Sequence, residues 1–372
     1  MTTRRLELDA ARGLMLVWIT LTHLPTRVSA YIYQPFGFVS AAEGFIFLSA
    51  LFTGLIYFRV AEKESYPAMH AKLRMRTLKL YGYHFLLLAI TFFVVAKVAA
   101  SGDRPGLQNL LDFYFLAGPK RALIDAALLI YRPPLLDILP MYIMFLAFTP
   151  FLLSAAKRIG WKLILGGSFT LWLLAQFGLR QATYSFSSHF LGLRIPANEM
   201  GSFDLWAWQF VWVFGLWAGV RWAKGNLPLE TWAKRVTIPA AFVFFAFLVI
   251  RYTLAAKVGN FEPLFDKWHL GIVRPINFAA VAALLIRFQA YVKPLAIRPL
   301  VMMGQASLQV FCVHLLFCFG GLALVGNNTS EVLGIAPGVI WLAISLSALL
   351  LTGHVFAKKE KQKPKSLVLS KA

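Results

Sequence analysis

Arg12 and His23 are the residues of this chain best placed to do chemistry. They lie in Glu7-Leu-Asp-Ala-Ala-Arg-Gly-Leu-Met-Leu-Val-Trp-Ile-Thr-Leu-Thr-His23-Leu-Pro25, an apolar stretch with a cation near its start and an imidazole near its end. On an α-helix eleven residues turn through about 1100°, three turns plus roughly 20°, so the two share a face about 16 Å apart along the axis. A cation near one membrane surface and a titratable base near the other suit chemistry carried through a bilayer. The plainer alternative is an Arg that sets orientation and a polar residue that ends the helix.

His23 is the candidate general base, because a neutral imidazole near pH 7 takes a proton from an attacking hydroxyl. Glu43, in Ser40-Ala-Ala-Glu-Gly-Phe-Ile-Phe-Leu-Ser49, is expected at a similar depth on the next helix. A carboxylate there needs a partner. It either orients His23 and supports its imidazolium form, or sits in a packing network held by an Arg or by backbone. Asp137 and Tyr142 flank Pro140 in Asp137-Ile-Leu-Pro-Met-Tyr142, where the proline is expected to free a backbone carbonyl. They line a substrate or cap the helix locally. His314 is a second buried histidine, either a substrate contact or a satisfied interior residue.

Arg74, Arg76 and Lys79 are expected at the inner end of the third span. Clustered guanidinium and ammonium groups suit phosphates, with Arg binding in a bidentate manner; positive-inside charge accounts for them equally well. A nucleotide donor inside and an acceptor outside would unite these positions. An extended pantetheine arm could span the gap from Arg12 to His23 and bring an acyl thioester to an external hydroxyl.

The elements that position these residues follow from composition. The 372 residues are 59% hydrophobic and 15% aromatic, with a mean hydropathy of +0.66. That excludes a soluble globular domain, and the long continuous apolar runs exclude a β-barrel. The expected fold is all-α, a polytopic integral membrane protein with about ten transmembrane helices. The expected spans are 11–30, 37–58, 78–98, 135–155, 161–179, 204–221, 236–255, 271–289, 300–322 and 336–356. Residues 1–357 form one transmembrane domain and 358–372 a basic cytoplasmic tail. About two thirds of the 37 Lys and Arg fall in the alternate segments that include both ends, which places both termini in the cytoplasm.

The net charge of +21 lies mainly in loops between apolar runs, so it points to a membrane surface and anionic ligands, with no nucleic acid partner. Three outer segments, 99–134, 180–203 and 256–270, mix polar and aromatic residues and could form a shallow sugar-binding surface. Asn260, Glu262, Asp266, Lys267, Trp268 and His269 belong to the last of them. Cys312 and Cys318, six apart on one helix, point to nearly opposite faces and are not expected to pair. No Cys/His cluster has metal-ligand spacing, and the first apolar segment lacks a signal-peptide cleavage site. A proton-coupled transporter or flippase of a glycan or small anion, using His23, Glu43 and His314 as a path, is the rival reading. The absence of sequence repeats weighs against it.

These residues resemble the acyltransferase-3 superfamily of membrane acyltransferases. Arg12 and His23 match its Arg and His on the first span. Arg76-Thr-Leu-Lys79 matches its Arg-x-x-Arg motif in part, and Phe45-Ile-Phe-Leu-Ser49-Ala-Leu echoes a second-span motif. Within that group the chain is more similar to the OpgC family of osmoregulated periplasmic glucan succinyltransferases. The similarity runs through Glu7-Leu-Asp-Ala-Ala-Arg-Gly-Leu, Thr22-His-Leu-Pro25, Phe36–Ser49 and Asp137–Tyr142. The resemblance implies a bacterial inner-membrane, multi-pass enzyme. It would transfer a succinyl group from succinyl-CoA, its donor substrate, to a periplasmic glucan, with membrane lipids around it and no tightly bound cofactor. His23 and Glu43 would be catalytic, Arg12, Arg74, Arg76 and Lys79 would hold the donor, and Asp137, Tyr142 and His314 would meet substrate. A succinyl donor also demands a cation for its free carboxylate; Arg27, Arg132, Arg251 and Arg274 are candidates.

Overall fold

The computed structural model describes residues 6–254, 261–326 and 332–362. Arg4, Arg5, Asn260 and the tail from 363 onward lie outside the described residues. Described residues are helical almost throughout, with one isolated antiparallel bridge between Phe36 and Val39. Each expected span overlaps a helix. Among the described residues six helices are long and apolar enough to cross a membrane, or eight if each of two bent pairs counts as one span. The chain is thus a polytopic helical membrane protein.

Contacts gather the chain into two compact units, Met1–Tyr33 with Phe288–Ala372, and Gln34–Arg287.

The first unit holds α1 (Leu6–His23), α10 (Arg298–Gln305), α11 (Ser307–Val325) and α12 (Ile335–Gln362). Acidic Glu7 and Asp9 stand in the first turn of α1, where the helix dipole favours negative charge. The helix stops at His23, well short of residue 30, because Leu24 precedes Pro25 and a pre-proline residue avoids helical dihedrals. α1 and α10 touch backbone to backbone. A Cβ on Gly13 would lie 2.0 Å from the Leu300 carbonyl oxygen, and one on Gly304 would lie 1.8 Å from that of Asp9. Small residues permit such close approach in membrane helices. The expected span 300–322 breaks at Ala306, between α10 and α11. α12 runs as helix to Gln362, so the expected tail from 358 starts inside a helix.

The second unit holds the other long helices. α2 (Ala41–Lys63) opens on a capping box between Ser40 and Glu43. α3 (Tyr66–Ile90) continues through a π-turn at Thr91–Val95 to Ala100, and it starts twelve residues before the expected position. The Ser65 hydroxyl accepts from the Ala68 N–H and sets that start. α4 (Ile138–Ile159) carries Pro140 in its first turn, where backbone N–H groups lack helical partners. Pro140 therefore frees no carbonyl, contrary to expectation; the interior proline is Pro150. α5 (Trp161–Gln176) bends by 80° into α6 (Leu179–Phe190) at Gly178, whose φ is +89°. The outer segment expected as a loop from 180 is thus largely helix. α7 (Leu205–Ala223) packs closely on α2 through Gly54 and Gly219. α8 (Leu229–Val249) pairs with α9 (Val273–Arg287) around Ala240, Ala280 and Ala283.

Candidate functional site

In the first unit, α11 runs alongside the Arg12–His23 stripe of α1. The Arg12 guanidinium donates to Ser307 Oγ at 2.6 Å, at the start of α11. Two turns on, His314 Nε2 lies 3.4 Å from His23 Nδ1. Ser307 and His314 are seven residues apart, which returns a helix to nearly the same face. One face of α11 therefore meets both Arg12 and His23, and the two residues do share a stripe. The two ring planes lie 27° from parallel, with centroids 5.5 Å apart. His314 is fully buried and His23 half-buried. Behind His314, Cys318 Sγ lies 3.4 Å from Nδ1, on the same face one turn later. Both cysteines are free. Asp9, 2% exposed, accepts from Gln305 Nε2 at 3.3 Å.

In the second unit, Glu43 is fully buried and both carboxylate oxygens are engaged. Oε2 accepts from the Ser40 N–H at 3.0 Å and the Ser40 hydroxyl at 2.5 Å. Oε1 takes Arg274 Nε at 2.8 Å and Nη2 at 2.5 Å. Arg274 is equally buried, so a fixed ion pair with hydrogen bonds to spare lies at the start of α2 and α9. Of the cations considered for a succinyl carboxylate, Arg274 is thus committed to Glu43. Arg132 donates through Nε to the Leu129 carbonyl at 2.8 Å. Arg27 is exposed and Arg251 half-buried.

Asp137 flanks the start of α4. Its Oδ2 accepts from the Ser202 N–H at 3.1 Å, and burial raises its pKa against that bond and the charges of Lys267 and Arg132. Burial and the neighbouring Arg180 bring Arg132 down to about 10. Arg180 donates to the carbonyls of Ser202 at 3.0 Å and Gly201 at 2.5 Å. Gly201, at φ +82°, packs so tightly that a Cβ would lie 3.0 Å from Arg132 Cβ. Burial lowers Lys267 to about 8, with Glu43 and Asp137 pulling it up and Arg274 pushing it down. Asp137, Arg132, Arg180 and Lys267 therefore form one charged neighbourhood with the Glu43–Arg274 pair. Sequence reasoning found its separate members but missed Arg180 and the central place of Lys267. An Arg two residues beyond a glycine at a span end was the available signal for Arg180.

Arg74, Arg76 and Lys79 do not share a face. Arg74 and Lys79 are exposed, while Arg76 turns inward. Its Nη2 donates to the Tyr142 hydroxyl at 3.2 Å, and its guanidinium lies 5.8 Å from the Tyr57 ring centroid.

A helical membrane protein with an imidazole pair on Arg-bearing α1 and its neighbour in one unit, and a buried ion pair among charged groups in the other, has the features of membrane-embedded enzymes and carriers of charged substrates. A family model described as OpgC protein matches residues 4–359, and the chain belongs to that family. Membership implies a glucan-modifying, acyltransferase-type activity. No curated protein and no solved structure matches the chain.

Proposed function

We propose that the protein is an inner-membrane O-acyltransferase, with both termini cytoplasmic, that moves a succinyl group from cytoplasmic succinyl-CoA to hydroxyls of periplasmic glucans. The observation that carries this reading is the Arg12–His23 stripe within a chain of the OpgC family. Arg12 supplies charge for the nucleotide end, and exposed Arg74 and Lys79 add cations suited to phosphates. Arg76 joins them as the inward-facing member. His23 takes the proton from a glucosyl hydroxyl as its oxygen attacks the thioester carbonyl. The C–S bond then breaks, and the imidazolium returns the proton to the departing thiolate. Glu43 enters as the anion that holds Arg274 in place. Asp137 and Tyr142 are the remaining groups offered to the acceptor; His314, expected to meet substrate, is fully buried behind His23.

Purified protein in liposomes tests this directly, with labelled succinyl- or acetyl-CoA on the cytoplasmic face and a glucan on the other. Succinyl label is expected on the glucan for the wild type. His23→Ala is expected to lose transfer by about 10²-fold or more while still binding donor. Glucan that crosses the bilayer without label from either donor overturns the reading in favour of transport.

A further inference from the structure

We propose that His314 is the positioning residue for His23, fixing the tautomer that makes its Nε2 the basic nitrogen. The inference rests on the acyl-transfer reading above and assigns the group that orients its base. An active-site base is usually held by a third group on its other side. Glu43 was the sequence-level candidate for that task, yet its carboxylate is engaged by Ser40 and Arg274. The nitrogen that faces His23 Nδ1 belongs to His314, at 3.4 Å. His314 is fully buried and His23 is not, so the outer ring is the one a hydroxyl reaches and the inner ring is the support.

Donor and acceptor bookkeeping then selects one arrangement. A neutral imidazole carries one N–H and one bare nitrogen. If Cys318 S–H donates to His314 Nδ1, then His314 Nε2–H donates to His23 Nδ1. His23 is left protonated at Nε2 and cannot act as a base there. If instead His314 Nδ1–H donates to the Cys318 sulfur, its bare Nε2 accepts from His23 Nδ1–H. His23 Nε2 is then bare and basic. Only the second arrangement supports proton abstraction. When Nε2 takes the hydroxyl proton, the positive ring keeps its Nδ1–H on His314, and that bond strengthens as charge develops. The proton stays on His23 and returns to the departing thiolate. His314 neither gains nor loses one, so it acts through His23 and not on substrate.

The experiment pairs 15N spectroscopy with kinetics on the full chain in detergent or nanodiscs. Uniform 15N-histidine labelling reports seven rings, and His23→Gln and His314→Gln assign the two of interest. The wild type is expected to show His23 protonated at Nδ1 and bare at Nε2. His314→Leu is expected to move the His23 proton to Nε2. It should also lower kcat for succinyl transfer by about 10²-fold, with KM for glucan and for donor within twofold. His314→Gln, whose amide oxygen can accept from Nδ1–H, is expected to keep the wild-type His23 tautomer and recover most of kcat. Wild-type His23 protonated at Nε2 overturns the proposal, and that measurement does not depend on any variant folding. A His314→Gln variant as impaired as His314→Leu, or an unchanged tautomer and kcat in His314→Leu, overturns it too. A tautomer change without detectable acyl transfer in any form leaves the positioning role standing and overturns the acyltransferase reading.

Discussion

The Arg76 guanidinium donates to the Tyr142 hydroxyl at 3.2 Å, joining a residue expected at the inner end of the third span to one near the start of the fourth. The reason is the length of α3. It begins at Tyr66, so Arg76 sits about 15 Å inside the helix at 1.5 Å per residue and not at its end. Tyr142 lies in the second turn of α4. An arginine at that depth needs a polar partner, and the phenol supplies it beside the Tyr57 ring. Tyr142→Phe keeps the ring and removes the acceptor. Hydrogen bonds to charged groups contribute about 1.5–3 kcal/mol, and a loss of that size is expected in thermal unfolding in detergent. An unchanged midpoint would show that the bond does not hold the helices together.

The Glu43–Arg274 pair predicts strong non-additivity. Glu43→Gln leaves a buried guanidinium without its counter-charge, and Arg274→Met leaves a buried carboxylate without its own. Each single change is expected to destabilise by about 3–5 kcal/mol. The double variant should be less destabilised than the sum of the two, because the orphaned charge is gone. A double-variant cycle by chemical or thermal unfolding measures the coupling, and simple additivity would refute it.

Gly304 and Gly82 should respond to alanine in opposite directions. A Cβ on Gly304 meets the Asp9 carbonyl oxygen at 1.8 Å, so α1 and α10 must move apart. Overpacking against backbone is expected to destabilise by about 3 kcal/mol or more. A Cβ on Gly82 meets nothing within 4 Å. In a helix interior that change is expected to be neutral or stabilising, by up to about 1 kcal/mol. Comparable effects at the two positions would remove the close crossing as an explanation.

The His269–Asp266 pair in the loop before α9 sets a pH window. The hydrogen bond to Asp266 raises the pKa of His269. Burial pushes Asp266 up, but the bonds from His269 and Trp268 bring it below its ordinary value. The histidine's contribution is complete below about pH 6.5 and fades as pH rises through its raised pKa. The aspartate's contribution is complete above about pH 3.9 and fades as pH falls through its lowered pKa. Protection from hydrogen exchange over residues 261–271, measured against the intrinsic rate at each pH, should therefore be greatest between those limits. Asp266→Asn should flatten both edges, and an unaltered profile in that variant would show that the pair does not govern the loop.

Local pattern made much of this protein readable from its residues. Apolar runs of membrane length mark where helices must form, because no other open structure satisfies backbone hydrogen bonds in lipid. Each expected span accordingly overlaps a helix. The shared face of Arg12 and His23 follows from helical period alone, and the resemblance to the OpgC family from the motifs around them. Tertiary structure decided the rest. The starts and breaks of helices turned on local backbone chemistry that hydropathy does not weigh: the Ser65 cap, the bend at Gly178 and Pro140 in a first turn. The partners of the charged and titratable groups lay far away in the chain. His314 is 291 residues from His23, and Arg274 is 231 from Glu43. Burial makes such groups seek a partner, but which helix supplies it depends on how side chains pack, and that is settled only when the helices have met.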